Sequence, residues 1–397
     1  MPTTPDTASQ KVWAALDEFR IEVPSWGFAN TGTRFGKFIQ SGAATSIAEK
    51  FSDAAQVNAL TGASPTIALH VLWDLPNGPA DIPAIQALEQ RYKIKAGSIN
   101  PNLFQDQQYK YGSIANPSAE IRQLAIDHLL ASVEIARALN SRDLSLWIAD
   151  GSNYPGTQSI RNRIGWVEEA LAVTHSALGD DQRMLVEYKP FEPFFYHTDV
   201  ADWGMALELS RRAGPKAKVL VDTGHHYQGT NIEQIVAWLV HLNALGGFHF
   251  NDRKYADDDL TLGSIDPYQV FRIFHEILAT ALPQRSTIAF MIDQSHNLKG
   301  KLEAMIQSVV TAQELYAKAA LIDLARLADL QQSCKLVEAE ECFRTAFWQD
   351  VRPIVREWRT ARGFPSDPLT ALAESGYVEA ISRDRAPRNS NAGGQYA

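Results

Sequence analysis

The sequence predicts an α/β protein, namely a (β/α)8 TIM barrel with an additional C-terminal helical region. Eight short runs rich in β-branched and aromatic residues are separated by turns and by amphipathic stretches, whose apolar residues recur every three or four positions. The chain has 397 residues, of which 45% are hydrophobic, and such a barrel needs only about 250 residues. Strands that alternate with helices in this way favour a closed parallel barrel.

The eight predicted strands are spread over the first three quarters of the chain. They are IEVPSWGF from Ile21, TIALHVLW from Thr66, IKAGSINP from Ile94, LSLWIADG from Leu144, MLVEYKPF from Met184, KVLVDTGHH from Lys218, GGFHFND from Gly246 and TIAFMIDQ from Thr287. Helical periodicity occupies the intervals, most clearly over residues 121–140 and 231–245.

Beyond about residue 300 the pattern becomes continuously helical. We therefore predict a barrel domain over residues 1–300 and a helical extension over 301–385 that forms oligomer contacts or covers the barrel. The stretch from Lys301 is expected to form one long helix or two consecutive helices, and the next stretch is interrupted at Pro353. Residues 386–397 contain few apolar side chains and are expected to form a flexible tail.

The charge balance and the missing motifs exclude several classes of function. The net charge of −9 argues against nucleic acid or an anionic membrane as a partner, because phosphate binding needs an excess of Lys and Arg. No glycine-rich phosphate loop follows a predicted strand, so we expect no nucleotide cofactor. The N-terminus lacks the apolar segment of a secretory signal and no apolar run reaches ~18 residues, so a cytoplasmic protein is expected.

Ionisable residues stand at the carboxyl ends of the last four predicted strands, where barrels of this type carry their active sites. They are Glu187 and Lys189 on strand five, Asp222 and His225 on strand six, His249 with the loop residues Asp257 and Asp259 on strand seven, and Asp293 on strand eight. Taken alone, a Glu-x-Lys pair is usually a salt bridge and an aspartate run is usually a solvated turn. Their occurrence on four successive strands favours a metal site.

A dication would offset the repulsion between these carboxylates, which otherwise raises their pKa values. The ligands are too many for one ion, so two divalent metals are predicted. One would be surrounded by Glu187, Asp222, His249 and Asp293, and the other held by His225, Asp257 and Asp259. Mixed oxygen and nitrogen ligands suit Mn²⁺, Co²⁺ or Mg²⁺, and Zn²⁺ is compatible. Two neighbouring metals suit chemistry on vicinal oxygens.

The earlier strands are expected to add a wall for a neutral, polar substrate. His70 and Trp147 stand near their strand ends, where an imidazole can bond a hydroxyl and an indole can pack on C–H groups. For Trp147, burial in the core is an equally good interpretation. Phe35, in the loop after strand one, is in a position to cap a pocket.

Four segments resemble the motifs of the L-rhamnose isomerases, within the wider xylose isomerase-like superfamily. They are WIADGSNYPG, EYKPFEP, DTGHH and FHFNDRKYADDDLT. The resemblance implies that Glu187, Asp222, His249 and Asp293 hold a structural, substrate-anchoring metal, while His225, Asp257 and Asp259 hold the catalytic one. It also implies that Lys189 and Glu187 contact the sugar near its reacting carbons and that His70 and Trp147 line its site. Mn²⁺, a homotetramer and the reach of Phe35 into a neighbouring subunit's site are further implications.

The predicted function is therefore the interconversion of an aldose, such as L-rhamnose, with its 2-ketose. Hydrogen would move between C1 and C2 either as a hydride or as a proton through an enediol, and the sequence does not choose between these routes. Two alternatives are a related isomerase or epimerase with another preferred sugar and a metal-dependent phosphodiesterase or endonuclease on the same barrel. The negative charge counts against the second alternative.

Overall fold

Eight parallel strands form a barrel in the computed structural model, which describes residues 7–31, 38–192 and 195–390. Around the barrel they follow chain order: β1 (Val23–Pro24), β2 (Thr66–His70), β3 (Lys95–Asn100), β4 (Asp143–Trp147), β5 (Arg183–Glu187), β6 (Ala217–Asp222), β7 (Leu245–Phe250) and β8 (Ala289–Ile292). The barrel closes where the backbone N–H of Glu22 donates to Phe290 at 2.8 Å and that of Ile292 donates back to Glu22 at 2.9 Å. The predicted (β/α)8 barrel is confirmed.

Helices surround the barrel and continue beyond it. They are α1 (Thr7–Glu18), α2 (Ile47–Thr61), α3 (Ile82–Tyr92), α4 (Ala119–Ala138), α5 (Ile160–Ala177), α6 (Trp203–Ala213), α7 (Ile232–His241), α8 (Pro267–Leu278), α9 (Leu282–Arg285), α10 (Lys301–Ala320), α11 (Leu324–Gln332), α12 (Leu336–Trp348), α13 (Arg352–Ala361), α14 (Pro368–Ser375) and α15 (Tyr377–Ser390). Three short 3-10 helices are Ser25–Phe28, Gly78–Asp81 and Gln107–Tyr109. A two-stranded hairpin, Phe191–Glu192 with Tyr196–His197, follows β5 and was not predicted.

The side chains of β7 show how the strands divide core from site. Successive residues of a strand point to opposite sides, so Phe248 and Phe250 share one side and His249 takes the other. The ring of Phe250 packs 5.3 Å from that of Phe274 on α8, so the phenylalanines face the helices. His249 therefore faces the interior of the barrel.

Helix α10 completes the ring of barrel helices, since it packs against α8, α1 and α2. The sequence prediction ended the barrel at residue 300 and assigned this helix to the extension. The stretch from Lys301 was predicted to form either one long helix or two consecutive helices, and it forms two, α10 and α11. Pro353 lies in the first turn of α13. Backbone N–H groups in the first turn have no acceptor within the helix, so the N–H that proline lacks is not missed there. Pro353 therefore helps to begin a helix.

Helices α11–α15 cover one side of the barrel, with packing contacts to α10, α1 and α2. The last helix, α15, continues to Ser390, whereas the sequence predicted a flexible tail from residue 386. Tertiary contacts explain the difference. Arg385 is buried and binds Asp53 at 2.7 Å, and Asn389 donates to the carbonyls of Ser41 and Ala43 at 2.9 and 3.0 Å.

Within the described part of the chain, no helix combines the length and the apolar character that crossing a membrane requires.

Candidate active site at the mouth of the barrel

The carboxyl-terminal mouth of the barrel divides into two halves of different chemistry. Strands β1–β4 lead to the aromatic half, made of Trp26, His70, Trp73, Phe104 and Trp147. Strands β5–β8 lead to the ionisable half, made of Glu187, Lys189, Asp222, His225, His249, Asp257, Asp259 and Asp293. Strand register joins the two halves, because Trp147 of the aromatic half pairs with Glu187 of the ionisable half. Within the ionisable half, Asp222 pairs with His249 in the same way.

Two groups of potential metal ligands share one carboxylate. In each group the ligand atoms lie within 4.8 Å of one another; the first is Glu187, Asp222 and His225, and the second is Asp222, His249 and Asp293. The four residues predicted to surround one metal are therefore brought together. His225, however, groups with Glu187 and Asp222 as well as with the acidic loop, so the two predicted sets are not separate.

Glu187 lies between the two histidines. Its Oε1 is 3.1 Å from Nδ1 of His225, and its Oε2 is 3.2 Å from Nδ1 of His249. The second histidine also has Oδ2 of Asp293 at 3.7 Å from the same nitrogen. One buried carboxylate thus contacts both imidazoles.

Asp222 is held in place from behind by neighbouring backbone and amide groups. It accepts hydrogen bonds from the backbone N–H of Gly224 at 2.7 Å and from Nδ2 of Asn251 at 3.1 Å. Gly224 permits this turn, because a Cβ there would lie 2.3 Å from Oδ1 of Asn251. The other carboxylate oxygen, Oδ2, is 3.9 Å from His225 Nε2 and from His249 Nδ1.

The acidic loop after β7 brings Asp257 to the cluster. One oxygen, Oδ1, is 3.3 Å from Nε2 of His225, and the other is 2.6 Å from Nζ of Lys189. Asp258 is turned away and accepts the backbone N–H groups of Lys254 and Tyr255. Asp257 therefore contacts the cluster, whereas Asp258 stabilises the conformation of the loop.

Asp259 completes the loop in an uncommon backbone conformation. Its φ is +46°, in the left-handed region, which Asp tolerates better than most residues. Burial and the neighbouring Asp257, Asp293 and Asp222 carboxylates raise the pKa of Asp259 well above its ordinary value. Asp259 therefore lies close enough to these carboxylates to be affected by their charge, and its neutral, protonated form is favoured in the metal-free protein.

Protonation in the ionisable half follows from burial and from close opposite charges. Burial raises the pKa of Asp222 to about 7 although His225 opposes it. Burial also opposes ionisation of Glu187, but His249 and His225 outweigh it and lower the pKa of Glu187 to about 2. For His249, burial is outweighed by Glu187, and the pKa rises to about 9. Such perturbed groups cluster at functional sites.

The donor set fits divalent cations. Among the described residues, the buried atoms Nδ1 of His249 and Oδ1 of Asp257 make no hydrogen bond of good geometry, and their nearest partners are the charged groups of Glu187 and His225 at 3.2 and 3.3 Å. Buried polar atoms are normally bonded in good geometry, so both atoms are available to a bound cation. Five carboxyl groups and two imidazoles without thiolates match the preferences of Mn²⁺, Co²⁺ or Mg²⁺, and they do not exclude Zn²⁺.

Metal binding is expected to release protons. Near pH 7 the raised pKa values leave His225 and His249 protonated and Asp222 about half protonated, whereas metal ligands must be deprotonated. Affinity for Mn²⁺ should therefore rise between pH 6 and pH 9. Calorimetric titration in two buffers of different ionisation enthalpy measures the protons released. Equal binding heats in both buffers would contradict the prediction.

The aromatic half forms a continuous wall. His70 stacks on Trp73 at 3.7 Å, and Phe104 contacts the ring of Trp147 at 4.7 Å. Burial lowers the pKa of His70 to about 4, so its imidazole is neutral at pH 7. If its Nδ1–H donates to the carbonyl of Val71 at 3.1 Å, Nε2 is left as an acceptor for a hydroxyl.

Trp147 connects the aromatic half with the ionisable half. Nζ of Lys189 lies 5.0 Å from the centre of its ring. Its indole Nε1 is buried and has no hydrogen-bond partner among the described residues. Trp147 therefore presents an unused donor beside the charged cluster.

Trp26, just after β1, contacts Asp293, the potential metal ligand just after β8. Its Nε1 donates a hydrogen bond to Oδ1 of Asp293 at 2.8 Å. In Trp26→Phe the ring is kept and the donor is lost. We expect affinity for Mn²⁺ to fall about 10- to 100-fold, as for other residues that orient a metal ligand. Competition with a fluorescent chelator measures this affinity.

Trp358→Phe is the matched control for this change. It removes another Trp-to-Asp hydrogen bond, 2.9 Å to Asp17, which joins α13 to α1 away from the mouth. Equal metal affinity in the two variants would show that the Trp26 contact does not orient Asp293.

Sequence reasoning missed several residues of the site. Trp26, Trp73 and Phe104 lie within four residues of the ends of β1, β2 and β3, the same relative position that drew attention to Trp147. Glu192, which binds Lys189 at 2.8 Å, lies in the unpredicted hairpin. Phe35, predicted to cap the pocket, lies outside the described residues.

Fold and site together define the class: a TIM barrel with a cluster of carboxylates and imidazoles at its catalytic face. The profile of the xylose isomerase-like TIM barrel family matches residues 61–279. The chain is 38% identical to a "probable sugar isomerase" of Rhizobium meliloti (strain 1021), covering 94% of this chain and 88% of that protein. It is 36% identical to another from Mesorhizobium japonicum, covering 98% and 91%. The chain belongs to the xylose isomerase-like TIM barrel family.

A solved structure agrees on the fold. A xylose isomerase domain protein from Alicyclobacillus acidocaldarius superposes with a TM-score of 0.54 at 12% identity, covering 76% of this chain and 99% of that one.

Proposed function

We propose that the protein is a metal-dependent aldose–ketose isomerase. The observation that carries this proposal is the pair of ligand groups that share Asp222 and face an aromatic wall across the barrel mouth. Asp222, His249 and Asp293 with Glu187 would hold one dication. Glu187, Asp222 and His225 would hold the other, with Asp257 and Asp259 beside it. When bound, the two metals would supply Lewis-acid polarisation of two neighbouring oxygens of the substrate.

The chain's own groups suit a neutral polyhydroxylated substrate. Lys189 brings no free positive charge to the mouth, because Asp257 and Glu192 neutralise its charge at 2.6 and 2.8 Å. This ammonium therefore leaves no uncompensated charge for the phosphate groups of a phosphorylated substrate or a nucleic acid. Indole faces and a neutral His70 instead offer apolar contact for C–H groups and an acceptor for a hydroxyl.

The residues around the reacting carbons would position the sugar and exclude water. Lys189 stays protonated because, although burial lowers its pKa, Asp257 and Glu192 outweigh that effect and raise the pKa above the ordinary lysine value. It can therefore donate hydrogen bonds to a substrate oxygen but cannot act as a base. Trp147 lies against the ammonium and offers its free Nε1–H to a neighbouring hydroxyl.

We further propose L-rhamnose and L-rhamnulose as the substrate pair and Mn²⁺ as the metal. Support comes from the four segments that resemble motifs of the L-rhamnose isomerases, three of which contain Lys189, His225 and Asp257. The relatives in Rhizobium meliloti and Mesorhizobium japonicum, both described as probable sugar isomerases, agree with the reaction class.

The experiment is a panel of aldoses assayed for ketose formation with Mn²⁺, after the metal has been removed and restored. The panel contains L-rhamnose, L-lyxose, L-mannose and D-allose, and abasic DNA serves as the control for the nuclease alternative. We expect the highest kcat/KM with L-rhamnose and no DNA cleavage. A different preferred aldose would overturn the substrate assignment alone, whereas no ketose from any aldose would overturn the isomerase.

The route of hydrogen transfer is tested with substrate deuterated at C2. Retention of deuterium in the ketose supports a hydride shift, and loss to solvent supports proton transfer through an enediol.

A further inference from the structure

We infer that Arg163 is a positioning residue, which fixes the backbone of Lys189 and ties together three loops of the barrel mouth. The inference rests on the proposed function, since it assigns Arg163 a task in holding the group that faces the substrate. Arg163 itself touches none of the ionisable half.

Arg163 is completely buried in the first turn of α5. Its Nε and Nη2 bind the carboxylate of Asp199 at 3.0 and 2.7 Å. Its Nη1 donates to the carbonyls of Ala115 and Tyr111 at 3.1 and 3.3 Å, and also to Gln158. Buried ion pairs contribute little net stability compared with apolar packing of the same volume. A guanidinium group that binds this many loop groups is therefore better explained by the need to hold the loops in fixed positions.

Asp199 transmits this position to Lys189 through its two chain neighbours. The backbone N–H of Lys189 donates to the carbonyl of Val200 at 3.0 Å. The hydroxyl of Thr198 donates to the carbonyl of Lys189. Both backbone groups of Lys189 are thus bonded to the residues on either side of the aspartate that Arg163 holds.

The same network reaches the loops after β3 and β4. The backbone N–H of Asp199 donates to the carbonyl of Asp150 at 2.8 Å. The carboxylate of Asp150 accepts the N–H groups of Ser113 and Ala115, both at 2.7 Å. Because Arg163 also binds Ala115, a closed circuit joins the loops that follow β3, β4 and β5. Two of these loops flank Phe104 and Trp147 of the aromatic half.

The test is Arg163→Lys, which keeps the charge and a contact with Asp199 but loses the fork that reaches the carbonyls. We expect turnover to fall about 100-fold, as for a small misplacement of a substrate-facing group. Metal content should stay at the wild-type level, because no proposed ligand lies in the network. Arg212→Lys is the matched control, since Arg212 joins α6 to Glu168 of α5 in an exposed ion pair.

A kinetic double-variant cycle separates positioning from general structural damage. If Arg163 acts through Lys189, adding Arg163→Lys to Lys189→Met should cause no further loss of turnover. Losses that multiply in the double variant would overturn the inference.

Hydrogen exchange gives a readout that needs no catalysis. The amide of Lys189 should exchange at least about 10-fold faster in Arg163→Lys than in wild type or in Arg212→Lys, because its bond to Val200 is loosened. Unchanged exchange would also overturn the inference. A wild-type protein that isomerises no aldose would remove the proposed function, and the exchange measurement would still decide the role of Arg163.

Discussion

Asp222→Asn is expected to abolish retention of both metals and to lower turnover about 1,000-fold or more. Asp222 is the carboxylate common to the two ligand groups, and an amide replaces its charged oxygen in each. Lewis-acid stabilisation is worth several kcal/mol, and each 1.36 kcal/mol is a factor of ten in rate. Elemental analysis after dialysis gives the metal content, and the aldose assay gives the rate.

Asp202→Asn is the matched control for this prediction. Asp202 caps α6 by accepting the N–H of Met205 at 2.9 Å, and asparagine caps helices equally well. The control should keep both metals and its full rate. If Asp222→Asn loses only one metal and the other stays bound with wild-type affinity, the carboxylate is not shared.

Lys189→Met is expected to lower turnover about 100- to 1,000-fold while both metals stay bound. The ammonium is a preorganised donor next to the cluster, and removing one such donor typically costs this factor. Methionine keeps much of the side-chain volume against Trp147 but leaves Asp257 and Glu192 without their shared cation. Steady-state kinetics and metal analysis on the same sample separate the two effects.

Lys218→Met provides the comparison for Lys189→Met. Lys218 lies near the start of β6, at the opposite end of the barrel, where Nζ donates to the carbonyl of Asn243 at 2.6 Å. Its loss should leave turnover unchanged. An active Lys189→Met enzyme would remove Lys189 from the proposed mechanism.

The barrel and the ionisable half could be predicted because both depend on local spacing. Strand patterns alternate with helical ones, and the carboxyl ends of parallel strands meet at one face, so Glu187, Asp222, His249 and Asp293 had to converge. The sequence analysis assigned these four residues to one metal, and the grouping of Glu187 and Asp222 with His225 could not be predicted. It depends on which carboxylate oxygen each rotamer presents, and the structure makes Asp222 common to both.

Part of the aromatic half and the end of α15 escaped prediction for a different reason. Trp26 lies in the short 3-10 helix after β1 and Trp73 in the loop after β2, and at such positions an indole can equally well belong to the core or to the surface until its partners are known. Residues 386–390 are polar and contain Pro387, so their helix depends on distant partners such as the contacts of Asn389. Contacts between residues so far apart in the chain produce no local hydrophobic periodicity from which a helix could be predicted.

The most direct test of the central claim is anomalous X-ray diffraction at the manganese edge from crystals grown with Mn²⁺. The account predicts two peaks at the carboxyl end of the barrel, each within bonding distance of Asp222 and each with one of the two histidines, His225 or His249, as a further ligand. A single peak, or peaks that lie away from Asp222, would contradict it.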